Sequence, residues 1–284
     1  MPENITDLNK SFWNKRAKNN SFFVAGAPMK KQNPANSLIG QYRNRTEYKH
    51  LTRKIDLRGK TLLDLGCGTG RLSFQFAKKC KKVVGVDFAE GMIEQANNYA
   101  KEHNISNTQF FVSDLQKVDF DETFDIVFFG GVLMCIEDDD VKGIVKNLHN
   151  FITKDTIIVN RDTVALIPKR MTSKDLVGRD DFTTYRPIEE IKAIFTQNNF
   201  DTLYQSETYP FVLGLNLYER LSSKMKKTKL ILFLLNILLL IQSEILDPLL
   251  LKHKWIYKKQ YNAWVNSSYP LRQFYFFHKI KKND

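Results

Sequence analysis

A glycine-rich stretch, LLDLGCGTGRL (residues 62–72), combines the residue types that can hold a nucleoside-like ligand. It follows a predicted strand and opens a predicted helix, which is the setting that a cofactor loop requires. Gly66, Gly68 and Gly70 let the backbone turn tightly and approach a ligand closely. Asp64 lies just ahead of the loop, and its carboxylate suits a ligand with an amino group and a sulfonium centre better than a pyrophosphate. The glycine spacing is G-x-G-x-G, whereas dinucleotide-binding loops have G-x-G-x-x-G. For both reasons a dinucleotide is not the first choice of ligand.

Two further acids end the next two predicted strands. Asp87 lies seventeen residues after Gly70, where a carboxylate can accept hydrogen bonds from both hydroxyls of a ribose. Asp114 ends the third strand, where a carboxylate can meet the amino group of an adenine. Each acid alone is also explained as a helix cap or a turn residue. Three acids at the ends of three successive strands, together with the glycines, favour a nucleoside-binding site.

Strands and helices alternate along the chain and would position these residues. Predicted strands cover residues 61–65, 82–87, 108–114, 124–131, 156–162, 201–209 and 272–280. Predicted helices cover residues 71–80, 89–103, 139–152 and 187–200. The last helix starts at Pro187, a favoured position for proline. This alternation implies right-handed crossovers and a parallel sheet.

The composition indicates a folded chain with a basic end. Of 284 residues 43% are hydrophobic and 26% charged, which argues against global disorder. The net charge is +12, and residues 211–284 hold thirteen Lys and Arg against four acids. That surplus can attract anionic lipid, nucleic acid or a phosphorylated substrate, or simply aid solubility.

The cysteines and the N-terminus indicate a cytoplasmic setting. Cys67, Cys80 and Cys135 are too few and too scattered for a disulfide framework. Without a Cys-x-x-Cys or a histidine cluster, the sequence predicts no metal site. The first twenty residues lack the apolar core of a signal peptide.

Four segments together resemble the class I S-adenosyl-L-methionine (SAM)-dependent methyltransferases. They are LLDLGCGTG (62–70), VVGVDFAEGMIEQA (83–96), SDLQKVDF (113–120) and FDIVFFGGVLMCIEDDD (124–140). The resemblance covers roughly residues 60–205 and the final strand. It implies an α/β, Rossmann-like sheet of seven strands, the last antiparallel, with helices on both faces and SAM as the cofactor.

The resemblance also assigns residues to the parts of SAM. The loop residues would hold the methionine part: Asp64, Gly66, Cys67, Gly68 and Gly70. The ribose and one face of the adenine would contact Asp87, Phe88 and Met92. The edge of the adenine would contact Asp114 and Leu115. The floor below the methyl group would be formed by Gly130 and Val132. In this arrangement Cys67 is a small loop residue, and we do not expect it to act as a nucleophile.

The region after the fourth strand limits the methyl acceptor. Methylases of exocyclic base amines usually carry an Asn or Asp, two prolines and an aromatic residue there, whereas this chain has GGVLMC (130–135). Carbon-5 pyrimidine methylases need a reactive cysteine, but Cys135 precedes acids that would raise its pKa. The leading prediction is methyl transfer to a small-molecule or lipid-linked acceptor, at oxygen. An RNA ribose methyltransferase, with the basic tail binding RNA, and a non-catalytic interaction protein of this fold are the alternatives.

Residues near the end of the fifth strand are candidates for the acceptor side. Methyl transfer is an in-line displacement, so alignment of the nucleophile supplies much of the catalysis. If an oxygen nucleophile must lose a proton, Asp162 is the best-placed base, although it could equally cap a turn. Four arginines in and after this strand suit an anionic substrate, or else they are solvated charges of a loop: Arg161, Arg170, Arg179 and Arg186. We expect His149 to pack or face solvent, and the acids of 137–140 to cap a helix.

The stretch LILFLLNILLLI (230–241) is the most apolar part of the chain. As a helix it would cover ~18 Å, against a hydrocarbon core of about 30 Å, so it is too short to span a bilayer. Lysines and aromatic residues flank it, which suits a helix in a membrane interface or a lid over a lipid substrate. The alternative is a buried helix or a homodimer contact. The sequence thus predicts a membrane-peripheral protein that touches the membrane through residues 224–259.

Four regions follow from these patterns. Residues 1–50 form a helical N-terminal extension, and residues 51–209 form the SAM-binding core. Residues 210–270 form a hydrophobic and basic helical insert between strands six and seven. Residues 271–284 form the final strand and a basic tail.

Overall fold

The computed structural model describes residues 10–15, 17, 45–172, 183–207, 234, 241 and 270–281. In chain order its strands are β1 Thr61–Leu65, β2 Lys82–Asp87, β3 Thr108–Val112, β4 Phe124–Gly130, β5 Ile152–Ala165, β6 Met171–Thr172, β7 Thr184–Tyr185, β8 Phe200–Glu207 and β9 Leu271–Ile280. Its helices are α1 Ser73–Ala77, α2 Glu90–Glu102, α3 Asp138–Asn147 and α4 Ile188–Gln197. Short 3₁₀ turns cover Leu133–Cys135 and Leu148–Asn150, and residues 10–15 and 45–52 are also helical.

Within the described residues, seven strands form one sheet in the order β3-β2-β1-β4-β5-β9-β8. Strands β1 to β5 pair in parallel, and β9 runs antiparallel between β5 and β8. The predicted fold class is confirmed: a mixed α/β sheet whose last strand is antiparallel. The strand order reverses between β1 and β4, which is where open α/β sheets bind ligands.

The central strands are apolar because the sheet is covered on both faces. β1, β2 and β4 are buried along almost their whole lengths, as expected for parallel strands between helices. Side chains of β5 alternate between two clusters, with Ile158 and Val164 in one and Val159 in the other. Leu51, from the helical segment 45–52, is fully buried in the second cluster. The helical segment 45–52 therefore contributes to the core next to β5 and β9.

Three elements differ from the sequence-based expectations. β5 continues to Ala165, well past the predicted end at residue 162, because β9 pairs with it as far as Leu271. α1 has only five residues, half the predicted length. Between the predicted strand 156–162 and the predicted helix 187–200, the structure has a short antiparallel pair, β6 with β7. The added residues at the end of β5 matter most. Gly130, the last residue of β4, pairs with Arg161, so β5 continues past the end of β4 to Ala165.

The predictions for the insert fall almost entirely outside the described residues. Within LILFLLNILLLI the structure describes only Leu234 and Ile241, both helical and 50% and 42% exposed. No helix in the described part of the chain is long and apolar enough to cross a membrane. The region boundaries, Arg179 and the segment 224–259 stay predictions.

Candidate active site

The glycine loop after β1 has the backbone conformation that its sequence predicts. Gly66, Gly68 and Gly70 have φ values of +71°, +55° and +76°, which L side chains rarely adopt. A Cβ on Gly66 would lie 2.3 Å from Val132 Cγ2, and one on Gly70 would lie 2.7 Å from Phe74 Cε2. A Cβ on Gly68 would meet nothing within 4 Å. Packing therefore demands glycine at two positions, whereas Gly68 faces open space in which a ligand can approach the backbone.

Cys67 packs down onto the neighbouring strand. Its Sγ lies 2.9 Å from the position where Gly85 of β2 would carry a Cβ. Burial and then the nearby carboxylates of Asp64 and Asp87 raise the pKa of the thiol well above its ordinary value. A protonated, buried thiol is a poor nucleophile, in agreement with the predicted role of a small loop residue.

Asp87 braces the glycine loop from the end of β2. Its Oδ2 accepts a hydrogen bond from the Gly68 amide and its Oδ1 accepts one from the Ala89 amide, both at 2.9 Å. Burial raises the pKa of the carboxyl, against the lowering effect of these amides. A carboxylate has about four acceptor positions, so each oxygen can accept one more hydrogen bond. Asp87 can thus hold the loop and two ribose hydroxyls at once.

Asp64 is buried at the end of β1 and is held by a residue that sequence reasoning missed. Ser73, in α1, donates its hydroxyl to Asp64 Oδ2 at 2.5 Å. Burial raises the pKa of Asp64 to about 6, against the lowering effects of Ser73 and Arg71. A cationic amino group beside this carboxylate would lower its pKa again and favour the charged form.

The residues predicted to surround the adenine lie after β2 and β3. Met92 is buried with Ala17 and Ala89, and Phe88 packs against them. Asp114 follows β3 by two residues and its Oδ1 accepts from the Gln116 amide at 3.0 Å, which is an Asx turn. Leu115 lies in the main core. The turn role and the predicted ligand role of Asp114 are compatible, because only one of its oxygens is used.

The loop after β4 closes onto the glycine loop. Val132 covers Gly66, and Gly130 is pressed between Phe128 and the guanidinium of Arg161. Gly130 and Val132, predicted to form the floor below a methyl group, therefore adjoin the glycine loop in space.

Asp162 is a buried carboxylate on the face of β5 that carries Val164. It is 1% exposed, and neither oxygen makes a well-formed hydrogen bond to any described residue. Asn160, two residues earlier, is also fully buried, with both side-chain polar atoms unsatisfied among the described residues. Burial raises the pKa of Asp162 to about 7, against the lowering effects of Arg161 and Arg186 and of weaker interactions with the Met134 backbone and the Asn160 side chain. Such a group can accept a proton near neutral pH.

Of the four arginines predicted to suit an anionic substrate, Arg179 lies outside the described residues and the other three separate into two places. Arg186 is buried and donates to Asp138 Oδ1, Leu133 O and Ile136 O at 2.7, 2.6 and 2.9 Å. Arg170 pairs with Asp138 and Glu190. These contacts fasten the loop after β4. Both guanidinium groups thus have partners within the protein, and the substrate role of Arg170 and Arg186 remains a prediction.

Asp138 does not cap α3 with its side chain. The N-cap residue of α3 is Glu137, which makes no side-chain cap hydrogen bond, so the acids do not cap the helix through their side chains. Asp138, Asp139 and Asp140 do lie in the first turn, where acids favour the positive end of the helix as expected. Although burial acts to raise it, Arg186 and Arg170 hold the pKa of Asp138 below its ordinary value. His149 packs as predicted: it stacks on Phe200 and contacts Asn198 O at 2.9 Å.

Arg161 lies on the opposite face of β5, in a buried ion cluster. Its Nη1 contacts Glu47 Oε1 at 3.1 Å, and Arg71 Nη2 contacts Glu47 Oε2 at 2.9 Å. Sequence reasoning missed Glu47 and Arg71. Among the described residues, no group of three or more His, Cys, Asp or Glu side chains is arranged to hold a metal ion.

Residues 56–208 match the model of the family described as Methyltransferase domain. The chain belongs to this family. The prediction of a SAM-dependent class I methyltransferase, with SAM as its cofactor, is confirmed at the level of the family and its fold.

Curated relatives of this methyltransferase match over part of the chain. The malonyl-[acyl-carrier protein] O-methyltransferase of Bacillus anthracis is 29% identical over 100 residues, 34% of this chain and 35% of the relative. The ubiquinone biosynthesis O-methyltransferase of Coxiella burnetii is 36% identical over 85 residues, 30% of this chain and 36% of the relative. The methyltransferase thus spans about a third of the length of these relatives.

Matches to solved structures cover larger shares of the chain. A geranyl diphosphate C-methyltransferase from Streptomyces coelicolor has a TM-score of 0.64 at 12% identity and covers 99% of this chain and 100% of its own. A Haemonchus contortus phosphoethanolamine N-methyltransferase has a TM-score of 0.58 at 17% identity and covers 84% and 53%. At these identities the likeness concerns the fold.

The residues present fit SAM. The open space at Gly68 leaves the loop backbone accessible, and the oxygens of Asp87 retain acceptor positions for a ribose. The buried Asp64 carboxylate suits a cationic amino group, as its raised pKa indicates. The geometry of these residues is therefore compatible with bound SAM.

We expect Gly68→Ala to weaken binding of S-adenosyl-L-homocysteine (SAH) by about 10-fold or more, because its Cβ would enter the space left for the ligand. Gly59→Ala is a matched control, since Gly59 also has a positive φ (+69°) and open surroundings but precedes β1 at the other end of the sheet. Both variants carry similar backbone strain, of order 1 kcal/mol. Calorimetric titration with SAH should separate them, and equal affinities would contradict this placement of the cofactor.

Proposed function

We propose that this methyltransferase transfers the methyl group of SAM to an oxygen atom of a small-molecule or lipid-linked acceptor, with Asp162 accepting the acceptor's proton. The observation that carries the proposal is the buried, unsatisfied carboxylate of Asp162 at the end of β5, beside the loop after β4. The O-methyltransferases among the curated relatives support transfer to oxygen.

The residues of the chain have separable tasks in this reaction. SAM, when bound, supplies an electrophilic methyl group. Asp87 and the glycine loop hold the cofactor's ribose and methionine ends. Arg186 fixes the loop after β4 through Leu133 and Ile136, so that the floor at Gly130 stays in place. Asp162 takes the hydroxyl proton as the nucleophile is aligned.

A lipid-linked acceptor is favoured by the basic, apolar C-terminal quarter. Residues 211–284 carry most of the excess positive charge, and the apolar positions Leu234 and Ile241 are about half exposed. A basic sequence with exposed apolar positions suits a membrane interface. The corresponding proposal is a cytoplasmic, membrane-peripheral enzyme that contacts the membrane through residues 224–259. A homodimer contact through the same segment is the alternative use of this surface.

A label-transfer experiment tests the acceptor class. Purified protein and methyl-labelled SAM are incubated with lysate of the source organism, which is then separated into organic-extractable, nucleic-acid, protein and small-polar fractions. We expect label in the organic or small-polar fraction, and organic label would specify a lipid-linked acceptor. Label confined to RNA would overturn the proposal in favour of a ribose methyltransferase. An Asp87→Ala sample, which should lose SAM, serves as the blank.

A further inference from the structure

Two buried polar side chains interrupt an apolar row on one face of β5. Asn160 and Asp162 are two residues apart, so their side chains share a face of the strand. Ile158 and Val164, on either side of them in the same row, belong to the main core cluster. Asn160 is fully buried and Asp162 nearly so. The polar pair thus lies at core positions where the pattern of the strand calls for apolar residues.

The residues opposite this pair on β9 provide no hydrogen-bonding side chains. Phe276 pairs with Asn160 and Phe274 pairs with Asp162, and both phenylalanines are buried in the main core cluster. Neither polar atom of the Asn160 amide and neither oxygen of Asp162 makes a well-formed hydrogen bond to any described residue. Buried polar groups are nearly always paired in folded proteins. The fold itself therefore gives no reason for these two residue types at these positions.

Charged side chains on the elements around Asp162 include Arg161 on β5, Arg186 just before α4, Arg272 on β9 and Glu207 on β8. Burial has the largest effect on the pKa of Asp162 and raises it, whereas Arg161 and Arg186 lower it. Arg272 and Glu207 form an ion pair with each other at 2.9 Å. Positive charge from two sides therefore offsets only part of the effect of burial on this carboxyl.

Asn160 adds a neutral group that can bond to Asp162 in either protonation state. Its side chain lowers the pKa of the carboxyl, as the Met134 backbone does, so the two side chains lie within range of an interaction. An amide has both N–H donors and a carbonyl acceptor, so it can donate to a carboxylate or accept from a protonated carboxyl. A lysine or arginine at this position could only donate, and would hold the carboxyl in its charged form.

We infer that Asn160 is a positioning residue for Asp162: its amide donates to the charged carboxylate and accepts from the protonated carboxyl. The consequence for catalysis rests on the proposed role of Asp162 as the base. A base must take up a proton and release it in every turnover. With a partner in both states, the Asp162 carboxyl keeps one orientation while its charge changes.

Titration of the Asp162 carboxyl tests this pairing without any turnover. The full chain is labelled with carbon-13 at its aspartate carboxyls and followed by NMR from pH 5 to 9, and the Asp162 signal is the one that Asp162→Asn lacks. A hydrogen bond to a charged group is stronger than one to a neutral group. Asn160→Leu should therefore raise the midpoint of the Asp162 titration by about 1 pH unit or more. An unchanged or lower midpoint would overturn the inference.

Two further variants separate the pairing from the general loss of a buried polar group. Thr156→Val also removes a buried polar group from β5, a hydroxyl that donates to Phe124 O at 2.6 Å, and it should leave the midpoint unchanged. Asn160→Asp preserves the shape but adds a like charge, so it should raise the midpoint as well. Even if Asn160→Leu failed to fold, an Asp162 signal unaffected by Asn160→Asp would refute contact between the two side chains.

The rate of label transfer from methyl-labelled SAM, measured over the same pH range, separates this inference from the proposed function. If Asp162 is the base, the rate profile of Asn160→Leu should move to higher pH together with the carboxyl titration. A carboxyl titration that moves while the rate profile does not would support the pairing and refute the role of Asp162 as the base. A rate profile that follows an unmoved carboxyl titration would refute the pairing alone.

Discussion

Replacing Asp162 by asparagine should lower kcat by about 10²- to 10⁴-fold, the usual contribution of a positioned base. The amide cannot accept the acceptor's proton, yet it has nearly the same shape. In the wild-type protein kcat should rise with pH through about 7, as the buried carboxyl ionises, and then level off. The measurement is the rate of label transfer from methyl-labelled SAM into the accepting fraction across pH 5 to 9.

The same variant separates a catalytic from a merely structural role. Burial raises the pKa of Asp162 from 3.8 to about 7, so the folded state binds its proton more tightly than the unfolded state does. This group's contribution to stability is therefore fully present below about pH 4 and is lost as pH rises to about 7. At pH 8, Asp162→Asn should be more stable than the wild-type protein by up to about 4 kcal/mol.

Asp155→Asn provides the matched control, because Asp155 is an exposed acid on the same strand. It should leave kcat unchanged. SAH affinity should be unaffected in both variants. If Asp162→Asn destabilised the protein at pH 8 or retained full activity, the carboxylate would be a structural group and another residue would have to accept the proton.

The cofactor half of the site was predictable because its signals are local in sequence. Buried strands between helices produce a recognisable apolar pattern, and the three glycines require positive φ within five residues. Asp64 and Asp87 follow from their positions at strand ends. Such features need no knowledge of the distant chain, which is why the sheet and the loop agree with the expectations.

The remainder depends on contacts between distant residues. Glu47 and Arg161 are separated by 114 positions and Arg186 and Asp138 by 48, and no periodicity links either pair. Asp138 has the sequence context of a helix cap, but its Oδ1 instead accepts two hydrogen bonds from Arg186. The strands β6 and β7 have two residues each, too few to show alternation. Contacts of this kind were therefore the least predictable part of the structure.

Replacing Glu47 by alanine should cost about 3–5 kcal/mol of unfolding free energy, the range for breaking a buried ion pair by removing one partner. The loss leaves the guanidinium groups of Arg71 and Arg161 buried without their shared carboxylate. Glu47→Gln should cost less, because the amide oxygen can still accept one hydrogen bond. Urea unfolding monitored by circular dichroism measures both changes.

The exposed pair of Asp56 and Arg58 supplies the comparison, and Asp56→Ala should leave the urea midpoint unchanged because water screens its charges. A second variant tests whether charge is the cause. Replacing Arg71 by methionine in the Glu47→Ala background removes one of the two guanidinium groups that share Glu47, and it should recover part of the lost stability. If the double variant were instead less stable by the sum of the two single losses, Glu47 would stabilise the fold by packing rather than by neutralising the arginines beside the cofactor loop.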